Sequence, residues 1–364
     1  MIDLGGTIRE FTPAQTLTRL RPLLLNPFGI TRVADVTGLD NIGIPVCAAI
    51  RPNSKSLANA QGKGITQELA MISAIMESIE GWHAENMQVK PHLASYNELL
   101  KAGQTVELGH LFSGYISYKD AADRKIAWCK TKDLINGVDI YAPYSMLSLD
   151  STQYIPGKEL FASTSNGLAS GNTYDEALCH ALFEAVERDA TSKVDHLSDE
   201  ELAPRRVKLA SINSPHNQAI IKKIQSAGYD LYIWDISSEF GIPVYSAYID
   251  DKKHIRGLGM FAGYGAHLSK EVALSRAITE AVQSRLTYIS GARDDIGEAM
   301  YKKNKEHANY SSVETIDYSA TKNLVLPSSF ADCAQLVIGK LKQQGIKHVL
   351  MFDHTRKELG GVAP

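Results

Sequence analysis

The chain has 364 residues, 44% of them hydrophobic and 22% charged, with a formal net charge of −3. This is the composition of a globular protein with a sizeable core, and it offers no basic surface for nucleic acid or an anionic membrane. Four dispersed cysteines without a Cys-x-x-Cys pair, no apolar run near the roughly 20 residues of a membrane helix, and no signal peptide exclude zinc-ribbon, disulfide-framework, membrane and secreted classes and predict a reducing cytoplasm.

The first patterned element is a strand–turn–strand unit, RVADVTGLDNIGIPVCAAI, with Asp35, Thr37 and the turn Gly43-Ile44-Pro45-Val46. It recurs as LYIWDISSEFGIPVYSAYI, with Asp235, Ser237 and Gly241-Ile242-Pro243-Val244. A third copy, VLMFDHTRKELGGVAP, keeps Asp353, Thr355 and Gly361 but has no return strand, so the chain is truncated or that strand is supplied from elsewhere. β-Branched and aromatic runs flank each turn, which predicts hairpins. Two of them follow predicted helices, NQAIIKKIQSAG and FADCAQLVIGKLKQQG, each closed by a glycine. Between residues 88 and 150, KIAWCKTKDL and VDIYAPYSM read as further strands.

A second repeat, loop then helix, occurs three times. The copies are QGKGITQELAMISAIMESIEGWHAE, SGNTYDEALCHALFEAVERDA and GYGAHLSKEVALSRAITEAVQSR. In each, an alanine (Ala70, Ala177, Ala273) precedes a glutamate by seven residues (Glu77, Glu184, Glu280), and Glu80, Glu187 or Gln283 follows three later. Ser73, His180 and Arg276 stand four before that glutamate, so each triple shares one helix face. Glycine-rich lead-ins precede the helices (Gly62-Lys63-Gly64, Gly167 to Gly171, Gly263-Tyr264-Gly265), and Thr66, Thr173 and Ser269 are the predicted N-caps. The run from Ser290 to Ser329 is polar with few apolar anchors and reads as a surface excursion or mobile flap. No linker is visible. The expectation is one domain over 1–364: a core over about 30–290, the excursion at 291–329 and a helix–strand segment at 330–364.

Like charges about 5 Å apart at an effective dielectric of about 20 repel by roughly 3 kcal/mol, so an acidic stripe on a partly buried helix calls for cations. Assembled around one centre, the repeats bring together Glu77, Glu80, Glu176, Glu184, Glu187 and Glu280 with Lys63, Arg188, Arg276 and Arg285. Such a set suits Mg²⁺ and a polyphosphate: carboxylates and waters for the ion, helix N-termini and arginines for the phosphate oxygens. There is neither a Walker motif nor a dinucleotide fingerprint. The blander alternative makes Arg276 and Arg285 salt-bridge partners of Glu280 and Glu271. Cys179 and His180, adjacent on a helix, point about 100° apart and are assigned packing and supporting roles rather than nucleophile and base. Cys47 is assigned to the core.

TGLDNIGIPV, RPNSKSLANAQGKG with SAIMESIE, SNGLASGNTYDEALCHALFEAVERDA, and RAITEAVQSR with GARDD together resemble the YcaO family over about residues 31–356. The resemblance implies a mixed α/β (α+β) fold of mainly antiparallel sheets flanked by helices, with internal pseudo-repeats. It also implies ATP- and Mg²⁺-dependent O-phosphorylation of a peptide backbone amide. Carried over position by position, Ser73, Glu77, Glu80, Glu176, Glu184, Glu187 and Arg188 fall on nucleotide- and magnesium-binding positions, and Lys63, Asn166, Gln283 and Arg285 on further nucleotide-contacting segments. Arg276 and Glu280 join the ATP set, Glu77, Glu80, Glu176, Glu184 and Glu187 the metal set, and Glu187, Arg188 and Arg285 the catalytic set. Two departures stand out: Gly81 where the family commonly has arginine, and Ala169 beside Ser170. The segments look most like the branch that works with a TfuA-type partner, associated with thioamide formation. The expected partners are a precursor peptide or protein and a separate TfuA-type or leader-recognition protein, with a homodimer as one assembly open to it. The alternatives are an azoline-forming cyclodehydratase and a non-catalytic scaffold that binds a peptide or partner.

Overall fold

The computed structural model describes residues 1–104, 121–251, 258–293, 295–298, 301 and 316–359. A short ladder of β1 (Ile2–Asp3) and β2 (Ile8–Arg9) leads into α1 (Pro13–Leu20). Then come β3 (Arg32–Asp35), β4 (Val46–Ile50), β5 (Asn59–Lys63) and α2 (Gln67–Glu85), followed by β6 (His92–Ser95), α3 (Tyr96–Lys101), β7 (Lys125–Asp133) and β8 (Asp139–Pro143). The second half runs α4 (Tyr174–Val194), α5 (Asp199–Leu202), α6 (Pro215–Ser226), β9 (Asp230–Asp235), β10 (Val244–Asp250), β11 (Met260–Ala266), α7 (Lys270–Ser290), α8 (Phe330–Gln343) and β12 (Leu350–Met351). The sheets are antiparallel, in the orders β3-β4-β5, β11-β10-β9 and β12-β7-β6 with β8 also on β7.

Both complete hairpins form as the turn chemistry dictates. Asp35 and Asp235 each accept a backbone N–H two residues on, at 2.9 and 3.0 Å, and Gly43 and Gly241 take positive φ. Asp353 makes the same turn with Thr355 at 2.8 Å, and among the described residues β12, just before it, pairs with β7.

The loop–helix repeat is visible atom by atom. Thr66 and Thr173 cap α2 and α4 by accepting the N–H of Leu69 and Glu176, both at 3.3 Å. A Cβ on Gly62 would strike Ala74 N at 1.9 Å, and one on Gly265 would strike Ala273 O at 2.2 Å. Gly62 and Gly265 therefore occupy the same place beneath α2 and α7, where only a bare backbone lets strand and helix touch. The pairings Val46–Lys63 and Val244–Ala266 place them alike, and each stands eight residues before its repeat alanine, Ala70 or Ala273. Ser269 is the α7 N-cap residue by backbone but makes no side-chain capping bond.

The core is built on both faces of these units. Ile233, Ala247, Ala277 and Leu286 fill one cluster, and Phe183, Val244, Leu268 and Val337 another, all fully or nearly fully buried. Cys47 and Cys179 are buried, as expected of packing residues. The excursion is anchored more deeply than its polarity suggests. Tyr318 is completely buried in the core and Thr321 hydrogen-bonds Tyr245 Oη at 2.6 Å, whereas residues 294, 299–300 and 302–315 lie outside the described set.

Candidate active site

The three repeat helices present their polar faces to one cleft of about 620 Å³. Gly62, Gly64, Gly171 and Gly265 set its depth by removing the side chains that would hold strand or loop away from helix. Of the residues expected from sequence, Lys63, Ser73, Glu77, Glu80, Asn166, Glu176, Glu184, Glu187, Arg188, Arg276, Glu280 and Gln283 all line it.

The carboxylates divide into committed and uncommitted groups. Glu280 accepts Lys63 Nζ at 2.6 Å and the Tyr264 N–H at 3.3 Å. Glu187 accepts the Ala266 N–H at 3.0 Å, so the free edge of β11 orients both acids. Glu80 accepts Ser170 Oγ at 2.6 Å. Glu176 accepts the Glu10 N–H at 3.0 Å and faces Arg9 at 3.6 Å. Glu77 makes no hydrogen bond or ion pair among the described residues, and Glu184 has only Arg188 Nε at 3.7 Å.

Crowding shows in their proton affinities. Burial raises Glu77, with Glu280 adding and Lys63 opposing. Burial and then Glu77 push Glu80 well above the carboxylate range. Burial lifts Glu184 to about 7 against the pull of Arg188. Burial and Glu280 raise Glu187. Glu280 alone of these is lowered: burial raises it, but Lys63, Arg188 and the Tyr264 N–H together outweigh that burial. Arg188 is disfavoured by burial, but Glu187, Glu280 and Glu184 overcome this and raise it. Burial is the first cause of each rise, and the cleft lining sets six glutamates beside six arginine and lysine side chains.

Arg285 is the exception. Its guanidinium points away from the cleft into the protein, bonded to Asp251 Oδ2 at 2.9 Å, 3.4 Å from Asp40 Oδ2, and stacked on Tyr229. It is not among the residues that line the cleft, and the salt-bridge alternative holds in kind, with Asp40 and Asp251 as partners rather than Glu271. Other cations, not expected from sequence, do line the cleft. Arg9 from β2 donates to His180 Nε2, while Nδ1 faces the Ser170 carbonyl at 3.3 Å, and Arg293 also lines the cleft. His180 is kept neutral by burial and by Arg9 and Arg276, so it accepts from Arg9. Arg293 stands within the GARDD segment, which was its available signal; Arg9 had no local pattern to mark it.

Do these groups fit ATP and Mg²⁺? Among the described residues no three His, Cys, Asp or Glu side chains form a closed metal cage. Mg²⁺ needs none, since it binds through one or two carboxylates, waters and phosphate oxygens. Glu77 and Glu184 are uncommitted, and buried Arg188 Nε, Asn59 Oδ1 and Gln283 Oε1 lack hydrogen-bond partners at the cleft wall. Uncommitted acids beside unpaired donors and acceptors are what a cation-bridged anion would complete.

Comparison with known proteins agrees. The family model described as YcaO cyclodehydratase, ATP- and Mg²⁺-binding, matches residues 61–363. A Rhizobium leguminosarum bv. trifolii protein from the tfuA 3′ region is 38% identical over 301 residues, which are 81% of this chain and 70% of that protein. The fold matches YcaO from Methanopyrus kandleri bound with AMPPCP and Mg²⁺ at a TM-score of 0.77 and 20% identity, covering 100% of this chain and 91% of that one. It matches a heterocyclase in complex with substrate and cofactor at 0.78 and 21% identity, covering 97% of this chain but only 51% of the heterocyclase. Glycine-cradled repeat helices, a shared acidic cleft and these matches converge, and the chain belongs to the YcaO family, whose common domain binds ATP and Mg²⁺.

Proposed function

We propose that this protein activates a peptide backbone amide by ATP- and Mg²⁺-dependent O-phosphorylation, in maturation of a ribosomally made peptide or protein, with a thioamide as the product. The observation that carries the reading is the single cleft in which Glu77, Glu80, Glu184 and Glu187 face Lys63, Arg188, Arg276 and Arg293. When bound, ATP supplies the phosphoryl group and Mg²⁺ offsets its charge. The chain's own contributions follow from the geometry. Glu77 and Glu184 are the uncommitted carboxylates for the ion, with Glu80 and Glu187 held beside them by Ser170 and the Ala266 N–H. Lys63, Arg188, Arg276 and Arg9 supply positive charge toward phosphate oxygens, where preorganised donors act most strongly. Likeness to the rhizobial tfuA-region protein supports a TfuA-type partner and, through it, sulfur rather than a neighbouring side chain as the nucleophile.

Calorimetry with AMPPCP in millimolar Mg²⁺ should detect binding, and its absence would remove the proposal. Glu184→Gln and Glu187→Gln should each cut ATP-dependent phosphate release at least about a hundredfold while leaving the circular dichroism unchanged. Mass spectrometry of the peptide decides the product. A gain of about 16 Da marks sulfur for oxygen and a loss of about 18 Da marks an azoline, both reachable from the same nucleophilic addition.

A further inference from the structure

The loop over residues 51–58, which leads into β5, is held by one carboxylate. Glu85, on the last turn of α2 and 2% exposed, receives Arg51 as a fork, Nη1 to Oε2 at 2.5 Å and Nη2 to Oε1 at 2.8 Å. Its Oε1 also takes Ser54 Oγ at 2.6 Å, the Ser56 N–H at 3.0 Å and the Ser56 hydroxyl. Burial opposes the charge on Glu85, but the Arg51, Ser54 and Ser56 bonds outweigh it and hold the carboxyl below its usual value. To reach Glu85 the guanidinium passes over Gly81, where a Cβ would lie 3.2 Å from Nη2.

Gly81 and Glu85 are one helical turn apart, the spacing at which side chains meet along a helix. A basic side chain at position 81 would satisfy Glu85 from within α2 and leave the loop without its anchor. The bare α-carbon makes the loop the source of the cation instead. Arg51, 4% exposed, gives up an acceptor for Nε in this arrangement, so the fork to Glu85 is kept at the expense of another bond.

We propose that Arg51 is a positioning residue that borrows Glu85 across Gly81 to pin the 51–58 loop, setting Ser56, Leu57 and Asn59 as one wall of the cleft. Asn59 Oδ1, buried and without a partner, is the acceptor thereby presented at that wall. The nucleotide readout below rests on the ATP reading; the clasp itself does not.

Two variants separate positioning from mere charge balance. Arg51→Ala leaves Glu85 buried without a cation and should lower the melting midpoint by several degrees. Gly81→Arg added to Arg51→Ala should restore the midpoint, because the helix now neutralises Glu85 from within. The double variant should still exchange the amides of Ser54 and Ser56 about tenfold faster than the parent and bind Mg²⁺·AMPPCP about tenfold more weakly. Parental exchange rates in the double variant, or a parental midpoint in Arg51→Ala, would overturn the proposal. If the parent protein binds no Mg²⁺·AMPPCP, the ATP reading fails, and the exchange and melting results still decide the clasp.

Discussion

Removing the charge at Arg285 would leave Asp40 and Asp251 buried together without a cation. Breaking one partner out of such a group costs about 3–5 kcal/mol, so Arg285→Ala should shift the urea midpoint strongly while turnover per folded molecule, measured by phosphate release, stays close to the parent. Burial already raises Asp40 despite Arg285, which marks the group as finely balanced. His83 gives a pH dependence of definite sign. Burial lowers it to about 4, with the Ile79 carbonyl opposing and Arg356 adding, against an ordinary value near 6.5. The unfolded chain therefore takes up the proton first: the contribution is complete above about pH 6.5 and is lost as pH falls toward 4, about 3 kcal/mol in all. Urea unfolding at pH 7.5 and 4.5 should show a smaller loss in His83→Phe than in the parent; His267 and His354, lowered to about 3 and about 4, act in the same direction as His83, and Glu184, raised to about 7, acts in the opposite one in both proteins. At this scale the sequence located the acids well and the cations less well. Glutamates at helical spacing share a face by geometry alone, whereas Arg9 reaches His180 across 171 residues of chain and Arg285 turns inward to acids on two distant loops.

The repeat is an element-scale device: a strand, a bare glycine, a capped helix. Adding one methyl at Gly265 would force α7 off β11, since the new atom would sit 2.2 Å from Ala273 O. Gly265→Ala should therefore destabilise by at least the about 1–3 kcal/mol of an overpacked core. Because it shifts Glu280, Gln283 and Arg276 together, nucleotide affinity should fall alongside; chemical unfolding and calorimetry on one preparation check both. The helices and hairpins were legible because their signals are local: periodicity, N-cap residues, and Asp-x-Thr or Asp-x-Ser turns. Glycine spacing alone does not say which glycine of each lead-in faces the helix; the strand register does, matching Gly62 to Gly265. Gly81 looked like a missing cation in the sequence, and the structure shows Arg51 lying over it.

For the whole molecule, the uncommitted carboxylates of the cleft couple stability to ligand. Binding at a hundred times the dissociation constant adds about 2.7 kcal/mol to the folded state, so differential scanning calorimetry should show the midpoint rise when AMPPCP and Mg²⁺ are present together and little change with AMPPCP in EDTA. The global arrangement was the least legible level. Antiparallel hairpins flanked by helices follow from local patterns, but which sheet receives the last strand does not, and β12 joins β7 through long-range pairing alone. The seal includes Leu134 N–H to Val349 O at 2.8 Å and His348 against buried Asp133 at 2.8 Å. That join has a consequence for the newborn chain. Val349 follows Asp133 by 216 residues, which a ribosome adds in about 10–40 s. Throughout that interval the end of β7 leaves the exit tunnel with an open edge, an invitation to pair with a neighbouring nascent chain. Lys130 and Lys132, both exposed there beside Asp139, put charge on the waiting strand and discourage the wrong partner until the chain's own last strand arrives.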